Sequence, residues 1–146
     1  MKKLLFVSGI IICFCLVVLL PSNAKNAEEE GVRKTVELYF QGHATGNGDF
    51  FRKAFHTEAK VFGMREGKLM QRTSEEFAAG ASGKPSADEA QRKRTIESID
   101  ITGNAAVVKV VLDYPTIKFT DYFTLLKIDG EWKIMNKTYM GEPKQK

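Results

Sequence analysis

The stretch from Phe119 to Tyr139 constrains this chain most, because two alternating apolar runs meet there at Asp129-Gly130. A two-residue type I′ turn needs φ > 0 at both central positions, which Asp-Gly tolerates, so the pair predicts a β-hairpin. A turn at those two residues also sets the register. Lys127 then faces Trp132, Leu125 faces Ile134, Phe123 faces Asn136 and Asp121 faces Thr138, all on one side, since side chains alternate with period two. Phe119 shares that side, which is therefore the expected core side. Tyr122, Thr124, Leu126 and Ile128, with Met135, Lys137 and Tyr139 across from them, fall on a mixed outer side.

A polar island interrupts the expected core side. Asp121, Asn136 and Thr138 are neighbours in this register, while Phe119, Phe123, Leu125, Trp132 and Ile134 around them are apolar. A carboxylate on a core face is costly unless it is paired or opens onto a cavity. Two readings follow. In one, Asp121 is satisfied by Thr138, Asn136 or a backbone donor and fixes the sheet. In the other it lines a pocket floor, its pKa raised by desolvation, with Tyr39, His43 and His56 reaching in from the helices and Phe119, Phe123 and Trp132 as the apolar wall.

At the other end of the chain, Lys2 and Lys3 precede a nearly unbroken apolar run from Leu4 to Leu20, followed by Pro21-Ser22-Asn23-Ala24. These are the parts of a secretory leader cleaved after Ala24, which leaves residues 25–146 as one domain in the periplasm or outside the cell. The competing reading is an uncleaved membrane anchor, because the run approaches the length of a spanning helix. Both cysteines, Cys13 and Cys15, lie in this segment, so residues 25–146 hold no disulfide and no cysteine-based metal or nucleophilic site. The formal net charge of +4 also shrinks. Without Lys2 and Lys3, 20 basic residues stand against 18 acidic ones. The cluster Arg92-Lys93-Arg94 reads as a solvated strand end with no interleaved aromatics, so no nucleic-acid partner is expected.

From Asn26 the pattern is helical, with Asn26 as cap, Glu29 as its box partner, and Val32, Val36, Tyr39, Phe40 and His43 on one face. Gly46-Asn47-Gly48 ends this helix, and Asp49 starts a short second one that presents Phe51, Ala54 and Phe55 and closes at His56. Residues 59–64 and 68–71 read as short strands. Thr73-Ser74-Glu75-Glu76 is a capping box for a helix bringing in Phe77, and residues 80–90 form a loop. Ile96, Ile99 and Ile101 then step by three and by two, which marks a β-bulge near Glu97-Ser98 and a bent sheet. Residues 105–114 return as a strand apolar on both faces, in the manner of a central strand. Helices must cover one face of such a sheet, which gives an α+β two-layer domain.

This order, with Tyr39 to Gly42, Gly48-Asp49-Phe50, Ala54 to Ala59, Ile99 to Ala106, Phe119 to Tyr122, Leu125 to Lys127 and Asp129 to Ile134, resembles the putative lumazine-binding family of the nuclear-transport-factor-2-like (cystatin-like, SnoaL-like) superfamily. The resemblance implies a cone in which a curved antiparallel sheet wraps around a long N-terminal helix and leaves a pocket between them. Superfamily members include isomerases, dehydratases, polyketide cyclases, non-catalytic binders and interaction modules, so fold alone does not choose. The isomerase branch places a carboxylate base on the first strand. Here that strand reads Val61-Phe62-Gly63-Met64, and a donor such as Tyr39 without a base cannot abstract a proton. His43 and His56 show no metal-ligand spacing, and no phosphate-binding glycine loop is present. The residues thus favour non-catalytic binding of a small apolar or aromatic molecule over an enzyme or a pure interaction module. No catalytic residue, metal or cofactor is assigned. A homodimer is expected through the outer side of the sheet, where Val107, Val111, Tyr122, Leu126, Ile128, Met135 and Tyr139 are grouped.

Overall fold

The computed structural model describes residues 22–65 and 67–145. The leader expected over residues 1–24 lies, up to residue 21, outside them. Helix α1, Ser22–Thr45, begins before the expected cap at Asn26, with neither Gly nor Pro between Ser22 and Asn26 to stop it. Helix α2, Gly48–Ala54, is capped by the Asn47 side chain, which accepts from the Asp49 amide. Strand β1, Phe55–Arg65, follows at once, so Phe55 and His56 begin a strand instead of closing a helix. After β2, Lys68–Thr73, the expected capping box is formed: Thr73 and Glu76 exchange hydrogen bonds at the start of α3, Ser74–Ala79. A 3-10 turn at Glu89–Gln91 leads to β3, Lys93–Thr102. Strands β4, Ala105–Asp113, β5, Ile117–Ile128, and β6, Glu131–Pro143, complete the chain.

The six strands form one sheet in the order β2-β1-β6-β5-β4-β3. All neighbours are antiparallel except β1 and β6. Asp129 and Gly130 both have positive φ, 51° and 84°, as the two-residue turn requires. The β3 bulge falls at Glu97, between Ile96 and Ser98. Val32, Val36, Tyr39 and Phe40 of α1 are buried with Phe51 and Ala54 of α2 and with Val108, Val110, Leu112, Phe123, Leu125 and Ile134 of the sheet. The architecture is the expected α+β one, a curved sheet with its helices on the concave side.

One register differs, and it changes the site. Lys127 pairs with Trp132 and Leu125 with Ile134 as expected, but Thr124 then pairs with Asn136 and Phe123 with Lys137. Met135 is the extra residue, a second β-bulge, and beyond it every β6 side chain changes face. Asn136 and Thr138 therefore point outward, and Lys137 and Tyr139 point into the core. The island expected from Asp121, Asn136 and Thr138 does not form. The Arg92-Lys93-Arg94 cluster is likewise no solvated strand end. Arg92 and Arg94 lie 4.2 and 5.4 Å from the Tyr114 ring centre and pair with Asp88 and Glu89 of the preceding turn.

Candidate functional site

The polar centre of the domain is built from three elements. Asp121 of β5 has no exposed surface, and its Oδ2 accepts from Tyr39 Oη of α1 at 2.6 Å and from Lys137 Nζ of β6 at 2.8 Å. Rings enclose it. Lys137 Nζ lies 4.4, 5.3 and 5.5 Å from the ring centres of Tyr139, Tyr39 and Phe77. Tyr39 meets His43 at 4.7 Å and Phe123 at 4.9 Å edge to face, with Phe51, Phe55 and Phe77 in the next ring of contacts. Around Tyr39 the space expected between α1 and the sheet is thus filled by side chains.

Burial sets the electrostatics. Desolvation, then the neighbouring Asp121 charge, pushes the Tyr39 phenol well up, so it stays a hydrogen-bond donor. Burial lowers the Lys137 ammonium, and the attraction of Asp121 offsets only part of that. His43 is held well below the usual imidazole range by burial and then by the positive charges of Lys137, Arg94 and Arg92, so it is neutral at pH 7. Neither His43 Nε2 nor Asp121 Oδ1 has a hydrogen-bond partner among the described residues. A buried polar atom that is left unpaired costs about 1–3 kcal/mol, so these two mark the polar side of the centre.

A cavity of about 600 Å³ opens at the far end of β5 and β6, lined by Met64, Gly67, Ile117, Phe119, Tyr139, Met140, Gly141 and Pro143. Two glycines make room for its rings. A Cβ on Gly63 would sit within 2.3 Å of the Tyr139 ring, and one on Gly141 within 2.7 Å of the Phe119 ring. Each aromatic side chain therefore lies flat across a glycine of the neighbouring strand. Tyr139 borders both regions. It lines the cavity and also lies beside the Lys137 ammonium. No group of three or more His, Cys, Asp or Glu side chains that could hold a metal ion occurs among the described residues.

A family model described as putative lumazine-binding matches residues 27–140. The chain belongs to this family. Its fold is that of the nuclear-transport-factor-2-like superfamily: it is similar to a protein of unknown function from Shewanella baltica OS155, with 28% identity over 82% of this chain and 97% of that one, at a TM-score of 0.74. A second such structure, from Methylobacillus flagellatus KT, has 28% identity over 80% of this chain and 93% of that one, with a TM-score of 0.70. Among characterised proteins it is similar to Aldolase FrzH of Cladobotryum sp., 23% identical over 82% of this chain and 95% of the relative.

In this lumazine-binding-family chain, four of the eight candidate site residues, Tyr39, His43, Asp121 and Phe123, meet at the polar centre. Phe119 lines the cavity. The other three are elsewhere. His56 is half-buried, its Nδ1 accepting from the Glu58 amide. Trp132 sits at the opposite end of α1, with Nε1 donating to Glu28 and its backbone oxygen accepting from Thr35. Asn136 faces outward beyond the bulge. The residues missed are Lys137 and Tyr139, which a regular β6 would have turned outward, together with Phe77. The clue for Tyr139 was its offset of five positions from Ile134, which an unbroken alternation cannot bridge with both on one face, while Lys137 itself offered none.

Proposed function

We propose that this chain is a small-molecule binding domain whose ligand is an apolar or aromatic compound held in the cavity of Phe119 and Tyr139. The observation that carries this reading is the cavity itself: about 600 Å³, walled by rings and aliphatic side chains, one of which, Tyr139, also adjoins the buried Asp121–Lys137 pair. That volume lies in the range of small-molecule sites, and such sites combine an apolar wall with a few convergent polar groups. The family description points the same way. Thermal-shift and calorimetric titration with a panel of planar mono- and bicyclic aromatics, including lumazine, tests it. One or more should bind saturably at one site per chain, and Phe119→Ala should weaken that binding about tenfold or more while the fold persists. Saturable binding that Phe119→Ala leaves untouched sinks the assignment to this cavity.

A second reading has one specific observation behind it. The relative named an aldolase is similar over most of both chains, so an enzyme acting on carbonyl compounds at the same polar centre is the alternative. A rate on enolisable or aldol substrates that Asp121→Asn abolishes would put this reading first.

The setting of the domain is part of the proposal. The leader-like segment ending at Ala24 supports export, and N-terminal sequencing that finds Met1 or Lys2 in membrane fractions would remove it. A homodimer through the outer sheet face is supported by Val107, Tyr122 and Leu126, which are 50, 49 and 42% exposed beside a shallow groove that includes Met135. Tyr139 leaves this face because of the bulge, whereas Val111 stays on it by register but is buried there. Sedimentation showing only monomer at micromolar concentration would defeat the dimer.

A further inference from the structure

We propose that Lys137 is an amine nucleophile that captures an aldehyde or ketone as an imine, the carbonyl compound reaching Nζ through the Phe119–Tyr139 cavity. This rests on the cavity being a ligand site and adds the chemical class of the ligand. Four observations carry it. Lys137 Nζ stands 4.4 Å from the Tyr139 ring centre, and the same Tyr139 side chain lines the cavity. The Tyr139 ring lies on Gly63, where no Cβ competes for the space, and a turn of that ring is the motion the proposal requires. The ammonium's remaining surroundings are the faces of Tyr39 and Phe77 rather than water. Asp121, hydrogen-bonded to Tyr39 and to Lys137 through one oxygen, keeps Oδ1 unpartnered among the described residues. A buried amine whose ammonium is disfavoured by desolvation, beside a carboxylate that can take its proton, is the arrangement that makes lysine a nucleophile.

The step balances within the site. Lys137 gives one proton of its ammonium to Asp121, and the Nζ lone pair attacks the carbonyl carbon. A second proton passes from nitrogen to the former carbonyl oxygen, forming a neutral carbinolamine. Asp121 then returns its proton to that hydroxyl, the C–O bond breaks, and water leaves. What remains is a protonated imine paired with the Asp121 carboxylate, the same net charge with which the site began. Tyr39 holds the carboxylate in place through its hydrogen bond and keeps its own proton throughout.

The test is reductive trapping on the full chain with limiting benzaldehyde and sodium cyanoborohydride at neutral pH, followed by peptide mass mapping. Lys137 should carry about tenfold more adduct than any exposed lysine such as Lys34 or Lys93, Lys137→Met should lose that adduct, and Tyr139→Ala should speed its formation. Because the wild-type map alone identifies the labelled residue, the test stands even where a variant fails to fold. Adduct spread over exposed lysines with Lys137 unmodified, in both wild type and Tyr139→Ala, overturns the proposal. Benzyl alcohol, which has the ring but no carbonyl, separates the two ideas. Saturable stabilisation by it without Lys137 labelling overturns the imine and leaves the binding reading standing, whereas neither stabilisation nor labelling by any probe overturns both.

Discussion

Two sets of side chains join α1, β5 and β6 in this molecule, and they use the same chemistry. At one end Glu28 accepts from Lys127 Nζ at 2.7 Å and from Trp132 Nε1 at 3.0 Å. At the centre Asp121 accepts from Lys137 Nζ at 2.8 Å and from Tyr39 Oη at 2.6 Å. Each is a carboxylate shared by an ammonium and an aromatic donor. The surroundings differ: the Glu28 and Lys127 side chains are 32 and 27% exposed, those of Asp121 and Lys137 are 0 and 5%. Water screens the first pair and makes it nearly optional. The second is held where apolar residues of equal volume would stabilise the fold as well or better, so its reason for being charged is to be sought in what the site does.

Breaking the inner pair should have the largest effect on the molecule. Asp121→Asn leaves the Lys137 ammonium buried without its counter-charge, and the loss expected from such a break is about 3–5 kcal/mol in urea unfolding. The double change Asp121→Leu with Lys137→Met removes both charges and should recover most of that loss. A single-variant loss below about 1 kcal/mol would mean that water reaches the pair, and the contrast between the two sets would collapse.

The second effect is smaller and depends on pH. His43 is packed against Tyr39, Phe51 and Phe77 and faces Lys137, Arg94 and Arg92, which together hold it neutral. A base whose folded pKa is depressed binds its proton more readily when unfolded. Its contribution is therefore undiminished above about pH 6.5, and stability falls as pH drops below that value, by at most about 1.4 kcal/mol per pH unit. Unfolding curves at pH 7 and pH 5 should show this loss in the wild type and a reduced one in His43→Phe. An equal loss in both would assign the acid sensitivity to other groups and leave the polar centre without its neutral histidine.

The two bulges explain how much of this site could be read in the chain. In β3 the bulge at Glu97 was legible because the core residues on either side of it, Ile96 and Ile99, are both isoleucine, and a step of three between them breaks the period of two. In β6 the residue that follows the bulge into the core is Lys137, which carries no apolar signature, and Met135 and Asn136 look no different from a strand alternating regularly. The register from the turn to Leu125–Ile134, the capping box at Thr73 and the α+β layering rest on local rules, and they follow from the residues. The partner of Asp121 does not. Which charged side chain enters a core is decided by a tertiary pairing across β5, β6 and α1, and the alternation that places Leu125 correctly places Lys137 on the wrong face.

The outer set provides the smallest effect and the control for the inner one. Glu28→Gln keeps the Trp132 hydrogen-bond geometry and removes the charge that Lys127 sees, so a small fall in melting temperature is expected at low salt. At 1 M salt, where the screening length is about 3 Å, that difference should disappear, while the deficit of Asp121→Asn should persist because ions do not enter the core. Acid gives an independent check. The hydrogen bond from Lys127 holds the Glu28 carboxyl below its ordinary range, so the pair stabilises the fold above about pH 4.5 and is lost as pH falls through the lowered value. Wild type and Glu28→Gln should therefore converge in strong acid as they do in salt. A deficit for Glu28→Gln that neither salt nor acid removes would place Glu28 in the same dry surroundings as Asp121, and charge alone, rather than its burial, would then have to account for what separates the two ends of α1.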